Sequence, residues 1–274
     1  MIKLVILCLA FSTISLVSKE INVGIFDFYP ASFKDNQGNY QGFYIDLINE
    51  IAKDNNWEIK YHYSSLNDNL NKLRSGELDL MPGLIINDSR LSFLDFSSSY
   101  ILTGWSSFNY NKKYKINGVK DLIGLRIGLI KNDINNEMFL SLFSDNKLTP
   151  KIKFYDSFSE MLQEIRKDSI VGGIFRNLLY EWKDPEDQIV TSPIKFPITE
   201  SFFAAPKGKN EDLLFVIDST LKVWKSQDDS QYYSILDKWI NPKPDYFRYI
   251  ISISLILIFI IFTYFLYRIY KKKK

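Results

Sequence analysis

Cysteine and histidine are almost absent from this chain of 274 residues, which contains only Cys8 and His62 of those two types. A lone cysteine cannot form an intrachain disulfide, and it cannot build a cysteine-based zinc site. No glycine-rich phosphate-binding loop is present, and no Ser/His/Asp order surrounds His62. We therefore expect no metal site, no cofactor and no enzymatic activity.

The sequence also lacks a basic stripe. Basic residues 3, 248, 268 and 271–274 lie at the two ends, whereas all 32 acidic residues lie between them. The body is therefore mildly acidic, unlike the clustered cationic face of a nucleic-acid-binding domain. We exclude nucleic acid as a partner. With 46% apolar and 24% charged residues, the composition is that of a globular chain that can bury one or two cores.

The N-terminus begins with one cation, Lys3, followed by an apolar run over 4–11 and small polar residues over 12–18. This order is typical of a secretory signal peptide, and we expect residues 1–18 to form one. A buried first strand or an uncleaved anchor is the alternative. Cys8 follows Leu7 and not a small residue, which argues against a lipoprotein cleavage site.

The C-terminus carries an apolar run over 249–267 with tyrosines near both ends. At 1.5 Å per residue this length matches a hydrocarbon core of roughly 30 Å. Arg268 and the lysines at 271–274 follow, and cations beside a membrane helix favour the cytoplasm. We predict a transmembrane helix at 249–267, a basic cytoplasmic tail at 268–274, and a single-pass protein of the cell membrane whose body lies outside or in the periplasm. A buried core helix is the alternative.

Residues 20–243 alternate strand-like and helix-like patterns, which indicates an α/β fold. Apolar residues spaced by three and four, such as Phe43, Leu47 and Ile51, indicate helices with one buried stripe. Strands are predicted at 21–28, 59–63, 78–86, 126–130, 151–155, 170–175 and 201–205, and helices near 43–51, 66–73, 137–143, 158–165 and 213–224. Pro242 and Pro244 form a stiff linker after this body.

Several short motifs occur in an order and spacing that resemble the family-3 bacterial extracellular solute-binding proteins. Each motif alone is weakly specific, and the set covers nearly all of 20–240. The motifs are Tyr-Pro at 29–30 with Phe-Lys-Asp at 33–35, Gly-Phe-Tyr-Ile-Asp-Leu at 42–47, Leu73 with Gly76 and Leu-Asp at 78–79, Arg90 with Leu-Asp-Phe-Ser at 94–97, Asp-Leu at 121–122 with Gly124 and Ile-Gly at 127–128, and Lys-Trp at 238–239. Tyr44 stands where the family usually has an acid.

The resemblance implies a two-lobed periplasmic-binding-protein fold of the Venus-flytrap type, with a ligand in the central cleft. Lobe 1 is expected at 20–108 and 200–243, and lobe 2 at 109–199. The implied function is a membrane-tethered solute-binding protein that closes on an amino acid or small carboxylate and partners an ABC-type permease. The alternative is the input domain of a transmembrane kinase or cyclase signalling system, and a dehydratase-like enzyme is a weaker one, since fold alone does not fix function.

The resemblance also implies ligand-binding positions in lobe 1. Arg90 matches the arginine that binds the ligand's carboxylate in this family. A planar guanidinium can donate two parallel hydrogen bonds to a carboxylate. Asn87 stands where the family usually has threonine, and Phe28 where an aromatic side chain meets the ligand. The alternatives are a surface arginine for Arg90 and a core position for Phe28.

Lobe 2 departs from the family pattern at two positions. Asp133 replaces a residue that usually donates to the ligand's carboxylate, and it either faces the cleft or caps the following helix. Arg176 stands where amino-acid binders usually have an aspartate. Either Arg90 and Arg176 both face the cleft and bind a dianion, or Arg176 points to solvent or pairs with Glu181. An amino acid then requires another acid, such as Asp133 or Asp27.

Overall fold

A computed structural model describes residues 18–144, 149–178, 181–241 and 246–272. Apart from Ser18, the expected signal peptide lies outside these residues, as do the linker prolines and the last two lysines. Residues up to 240 form one compact unit, and residues 241–274 form a second.

The first lobe is built on two parallel strands, β1 (Lys19–Ile25) and β4 (Trp57–Tyr63). Between them β2 (Phe33–Lys34) pairs with β3 (Tyr40–Gln41) and leads to helix α1 (Phe43–Asp54). The remaining elements of this lobe are α2 (Leu66–Ser75), β5 (Met81–Leu84), α3 (Asp88–Leu91), β6 (Leu94–Phe96), α6 (Glu211–Lys225) and α7 (Gln231–Trp239).

The predicted helices of this lobe are confirmed, and their ends have local causes. Helix α1 buries the stripe of Phe43, Leu47 and Ile51. The Ser65 hydroxyl accepts a hydrogen bond from the Asp68 amide and caps the start of α2, and Gly76 ends that helix in the left-handed region with φ 80°.

Two long strands connect the lobes, and the sequence pattern did not predict their extent. Strand β7 (Leu102–Asn111) was not predicted, and β11 (Ile189–Pro206) is far longer than the expected 201–205. Pro193 and Pro197 interrupt the β-rich pattern, because proline cannot donate to a ladder. Two register shifts in the β11–β7 pairing accommodate these prolines. The other end of β11 pairs with β5 and β6.

The second lobe contains β8 (Arg126–Ile130), β9 (Lys151–Tyr155) and β10 (Gly172–Asn177), and β8 is parallel to both of the others. Its helices are α4 (Asn135–Ser141) and α5 (Phe158–Arg166), with a 3₁₀ turn at Val119–Leu122. Strand β10 begins and ends two residues later than expected. Arg176 therefore lies within the strand, paired with Ser106 of β7.

Each lobe has its own hydrophobic core. In the first lobe α1, α6 and α7 pack Phe43, Leu213 and their neighbours against the sheet. In the second, Phe108, Leu129 and Phe139 form a separate cluster. Two cores joined by continuous strands are the architecture of a hinged, two-lobed fold.

The second unit contains helix α8 (Tyr246–Lys272). The apolar side chains described between 253 and 264 are exposed, for example Phe259 at 67%. Within the residues that the structure describes, no helix is long and apolar enough to cross a membrane.

Candidate functional site

A cavity of about 380 Å³ lies between the lobes of the first unit. Its walls come from segments that follow the carboxyl ends of parallel strands. In lobe 1, residues 26–29 follow β1 and residues 64–66 follow β4; in lobe 2, Asp133 follows β8 and residues 156–159 follow β9. Ligands of open α/β sheets bind at this edge of the strands. A smaller cavity of about 50 Å³ shares several of these residues and extends toward Arg90.

Phe28 lines both cavities from the lobe 1 side. Its ring stacks on Phe26 with 6.1 Å between centroids, and it lies 6.4 Å from the ring of Tyr44. Phe28 is half-buried, so one part of the side chain belongs to this aromatic cluster and the other part faces the cavity. Phe28 therefore packs in the core of lobe 1 and also faces the cavity, the two positions that the sequence left open.

Tyr44 lies behind Phe28 and is fully buried. Burial raises the pKa of its hydroxyl, while the charge of Arg176 acts in the opposite direction. Gly83 makes room for this ring: a Cβ there would lie 2.6 Å from Tyr44 Cε2, and its φ of 85° also favours glycine. Tyr44 therefore supports the cavity wall without lining it.

Arg90 is 6% exposed and lines the small cavity. Its Nη1 donates to the Ile85 carbonyl at 2.8 Å, and its Nη2 donates to the Asn132 carbonyl of lobe 2 at 3.0 Å. Burial lowers the pKa of Arg90, and the carboxylates of Asp133 and Glu137 oppose that effect. Arg90 therefore makes a direct hydrogen bond between the lobes and is not a surface arginine.

Asn87 does not line either of these cavities. Its Oδ1 accepts the Arg90 amide at 2.9 Å and caps helix α3. Its side chain instead borders a third cavity of about 410 Å³ on the other side of Arg90. The structure therefore places Asn87 behind Arg90, where it holds the arginine's backbone.

Asp133 lines the cleft, and its carboxylate also accepts hydrogen bonds beside the start of helix α4, although the N-cap position of that helix is Ile134. The Asp133 Oδ1 accepts the backbone amide and the side-chain amide of Asn135, at 2.8 and 2.6 Å, at the start of helix α4. Asp133 also lines the cavities. Its negative charge lies close enough to Arg90 to favour the protonated guanidinium.

Arg176 reaches the cavity from β10 and lines both the large and the small cavity. Its Nε and Nη2 are buried and have no hydrogen-bond partner within the described residues. The proposed pairing with Glu181 is wrong, because Glu181 forms an ion pair with Lys195 at 3.2 Å. Gly104 of β7 leaves space beside the guanidinium: a Cβ there would lie 3.4 Å from Arg176 Nε and 2.4 Å from the Asn177 carbonyl oxygen.

Several cavity residues were missed by the sequence reasoning. They are Tyr63, Asp156, Phe158 and Trp182. Burial raises the pKa of Tyr63 to about 12, with a further contribution from the Asp27 carboxylate. Asp156 follows β9 directly, so its place after a parallel strand was the signal that would have identified it.

Two further hydrogen bonds join the lobes. The Ser159 amide, in the first turn of α5, donates to Asp27 Oδ2 at 2.9 Å. The Asn132 side-chain amide donates to Asn67 Oδ1 at 2.5 Å. Together with the Arg90–Asn132 bond, they connect the two lobes directly.

His62 lies away from this site, and its Nε2 lies 2.8 Å from Asn22 Oδ1 on the paired strand. Among the described residues, no group of three or more His, Cys, Asp or Glu side chains is arranged to hold a metal ion.

A cavity at the carboxyl ends of parallel strands, between two lobes joined by continuous strands, defines a two-lobed periplasmic-binding-protein fold. Residues 21–242 match the family of bacterial extracellular solute-binding proteins, family 3. The match covers most of the chain, and this protein belongs to that family.

Individual relatives agree with this assignment. A probable histidine-binding protein of Neisseria gonorrhoeae is 25% identical over 215 residues, which cover 76% of this chain and 79% of the relative. An ancestral arginine-binding protein, solved with bound arginine, is 27% identical with a TM-score of 0.71, covering 81% of this chain and 98% of that one. A histidine kinase sensor domain is 17% identical with a TM-score of 0.68, over 81% and 96% of the two chains, and shares the fold.

Proposed function

We propose that this protein captures an amino acid in the cavity between its lobes and holds it by lobe closure. The observation that carries the proposal is the mixture of charges around the cavity. Arg176 supplies a guanidinium, whereas Asp27, Asp133 and Asp156 supply carboxylates. A zwitterion complements both signs, because its carboxylate meets the arginine and its ammonium group meets an acid.

The acids of the cavity could also meet a positively charged side chain of the solute. Asp156 is already paired with Lys131 at 2.9 Å, which leaves Asp27 and Asp133 as the acids best placed for a cationic group. A dicarboxylate would bring two negative charges against these side chains, so the dianion considered from the sequence fits less well. The names of the relatives support an amino acid, and those of the histidine-binding and arginine-binding relatives include a cationic one.

We propose a tether to the cell membrane through 249–267, with the lobes in the periplasm or outside the cell. The apolar run, the following cations and the exposed apolar side chains between 253 and 264 support this. Such an anchor would keep the captured solute beside an ABC-type permease. Membrane fractionation tests the tether: the full chain should remain with the membrane after carbonate washing, and a chain ending at 241 should be released.

A thermal-shift screen tests the binding function. The purified chain is heated with each of the twenty L-amino acids and with mono- and dicarboxylates. A ligand at about 100 times its Kd adds roughly 2.7 kcal/mol, which for a domain of this size is a rise of about 5–10 °C. We expect the largest rise with L-arginine, L-lysine or L-histidine. A rise with dicarboxylates alone would reject an amino-acid ligand.

A further inference from the structure

We infer that Trp182, in the segment that follows β10 of lobe 2, determines which side chain the bound amino acid carries, and that Asn177 positions Trp182. This rests on the proposed function and adds the class of the ligand's side chain to it. The side chain that fits is a planar cation, such as a guanidinium or an imidazolium group.

The large cavity has two ends with different chemistry. One end continues into the small cavity, which both Arg90 and Arg176 line, and a carboxylate is attracted to that end. Trp182, Phe158 and Asp27 line the large cavity and not the small one. An amino acid whose carboxylate lies at the arginine end therefore extends its side chain toward Trp182.

Trp182 belongs to a group of three packed rings. Its ring centroid lies 4.8 Å from that of Phe175 and 6.2 Å from that of Phe158, and the two phenylalanine rings are 4.7 Å apart. Phe175 is fully buried, whereas Trp182 and Phe158 are half-buried and line the cavity. Phe175 thus supports the other two rings, which form an aromatic wall contributed by lobe 2.

A chain of buried polar side chains holds the backbone of Trp182. Asn177 Oδ1 accepts the Trp182 amide at 2.7 Å, and Asn177 Nδ2 donates to Ser107 Oγ at 2.9 Å. Ser107 in turn donates to Asn109 Oδ1 at 2.7 Å. These three polar residues are at most 1% exposed. Because a satisfied buried network is rigid, strands β7 and β10 fix the place of Trp182 at the cavity.

The charges beside these rings favour a cation. Asp27 of lobe 1 and Asp156 of lobe 2 line this part of the cavity, and Asp156 already pairs with Lys131. Asp27 Oδ2 accepts the Ser159 amide, and Oδ1 accepts no hydrogen bond from a described residue. A planar cation gains from the faces of the rings and from the Asp27 carboxylate. An aliphatic side chain gains neither electrostatic contact.

Three amino acids separate these contributions: L-arginine, its uncharged planar analogue L-citrulline, and the aliphatic L-norvaline. Kd is measured by calorimetry for wild type, Trp182→Leu and the control Trp224→Leu, a half-buried tryptophan of α6 outside these cavities. Wild type should bind L-arginine most tightly and L-norvaline least. Trp182→Leu should weaken L-arginine about tenfold and L-norvaline less than twofold, because the cation loses the indole. Trp224→Leu should leave the Kd ratio of the two ligands unchanged.

Two further variants separate a lost contact from a loss of folding. Trp182→Phe is the milder change if Trp182→Leu does not fold, and it should reduce the preference for L-arginine over L-norvaline about threefold, because a benzene ring attracts a cation less than an indole. Asn177→Ala keeps the indole but removes the acceptor of its backbone amide, and it should reduce the same preference about threefold. A general loss of stability would weaken both ligands alike and leave their Kd ratio unchanged.

The outcomes separate the inference from the proposed function. If wild type binds amino acids and the Trp182 variants leave the Kd ratio unchanged, amino-acid capture stands and the role of Trp182 is rejected. An unchanged ratio in Asn177→Ala alone rejects the positioning role. Tighter binding of aliphatic or acidic amino acids than of L-arginine and L-histidine rejects the planar cation. If wild type binds none of the twenty L-amino acids, the proposed function fails, and the inference fails with it.

Discussion

The two lobes face the same cavity with different chemistry. Lobe 1 contributes the rings of Phe26, Phe28 and Tyr63 with one carboxylate, Asp27, whereas lobe 2 contributes the rings of Phe158 and Trp182 with three charged side chains, Asp133, Asp156 and Arg176. Rings give shape and apolar contact that depend little on the ligand's charge. Buried charges discriminate strongly, because an unmatched charge is costly. Lobe 2 therefore supplies more of the charge that can discriminate among solutes, whereas lobe 1 supplies mainly aromatic surface.

The same contrast appears away from the cavity. In lobe 2, Arg166 pairs with the buried carboxylate of Asp184 at 2.5 Å. In lobe 1, Lys225 instead lies over the ring of Tyr100 at 3.3 Å, and its Nζ donates to the Tyr100 carbonyl. Changing charges should therefore destabilise lobe 2 more than lobe 1.

The largest loss of unfolding free energy is expected for Asp184→Asn in lobe 2. Asp184 accepts from Arg166 and from the backbone amides of Gln188 and Ile189, so the change breaks a buried pair and costs about 3 kcal/mol of unfolding free energy. Urea denaturation at pH 7 measures it. The exposed Asp229→Asn is the control and should change stability by less than about 0.5 kcal/mol.

The pH dependence of that variant gives a second check. Burial alone would raise the pKa of Asp184, but hydrogen bonds from Arg166 and the backbone lower it overall. A carboxylate with a lowered folded pKa stabilises the fold above its unfolded pKa of about 3.9 and loses that contribution as the pH falls through the folded value. The difference in unfolding free energy between wild type and Asp184→Asn should thus become smaller below about pH 4. A difference in unfolding free energy that does not change with pH would contradict the ion pair between Arg166 and Asp184.

Phe28→Ala tests the contribution of the aromatic side chains with which lobe 1 lines the cavity. Loss of the aromatic wall should weaken the best-bound amino acid about tenfold, since the ring supplies about 1.4 kcal/mol of contact. The decarboxylated amine of the same amino acid should lose affinity by the same factor, because both ligands present the same ammonium group and side chain to the ring. Phe215 is 72% exposed on α6, so Phe215→Ala is the matched control. A change of selectivity in Phe28→Ala would break the division of roles between the lobes.

Asp27→Ala tests closure from lobe 1. The variant loses the hydrogen bond from the Ser159 amide, and we expect a loss of about fivefold in affinity with a more open ligand-free form. Small-angle scattering measures the opening, and calorimetry measures Kd. Asp229→Ala is the control for both. An unchanged radius of gyration and unchanged affinity would show that this bond does not stabilise the closed state.

The smallest change in unfolding free energy near neutral pH is expected for Lys225→Met. Burial lowers the pKa of Lys225 to about 8, despite the opposing charge of Glu200. The folded state then binds fewer protons than the unfolded state between about pH 8 and 10, so wild-type stability should rise over that range. Urea denaturation across these pH values should show the rise in wild type and its loss in Lys225→Met. A rise of the same size in the variant would mean that another group is responsible.

Local patterns predicted five of the helices, because a buried stripe such as that of α1 or α5 depends on spacing alone, but α3 and α7 were not predicted. The long strands were harder. Strand β11 contains Pro193 and Pro197, and its pairing depends on β7, which lies some eighty residues earlier in the sequence. Short-range patterns do not contain that partner.

The candidate site was predicted only in part for a related reason. Family motifs pointed to Arg90 and Phe28, and the departure from the motif drew attention to Arg176. The sequence did not show that Arg90 contacts the Asn132 carbonyl, or that Asp27 meets the Ser159 amide, because these contacts join the two lobes in three dimensions. The sequence likewise did not show that Glu181 pairs with Lys195 of β11.

The most direct test is a crystal structure of the complex with the amino acid that the thermal screen identifies. We predict that the amino acid lies in the cavity between the lobes, with its carboxylate within about 3.2 Å of a guanidinium nitrogen of Arg90 or Arg176 and its ammonium group beside Asp27 or Asp133. A ligand bound outside this cavity, or one whose carboxylate contacts neither arginine, would contradict the account.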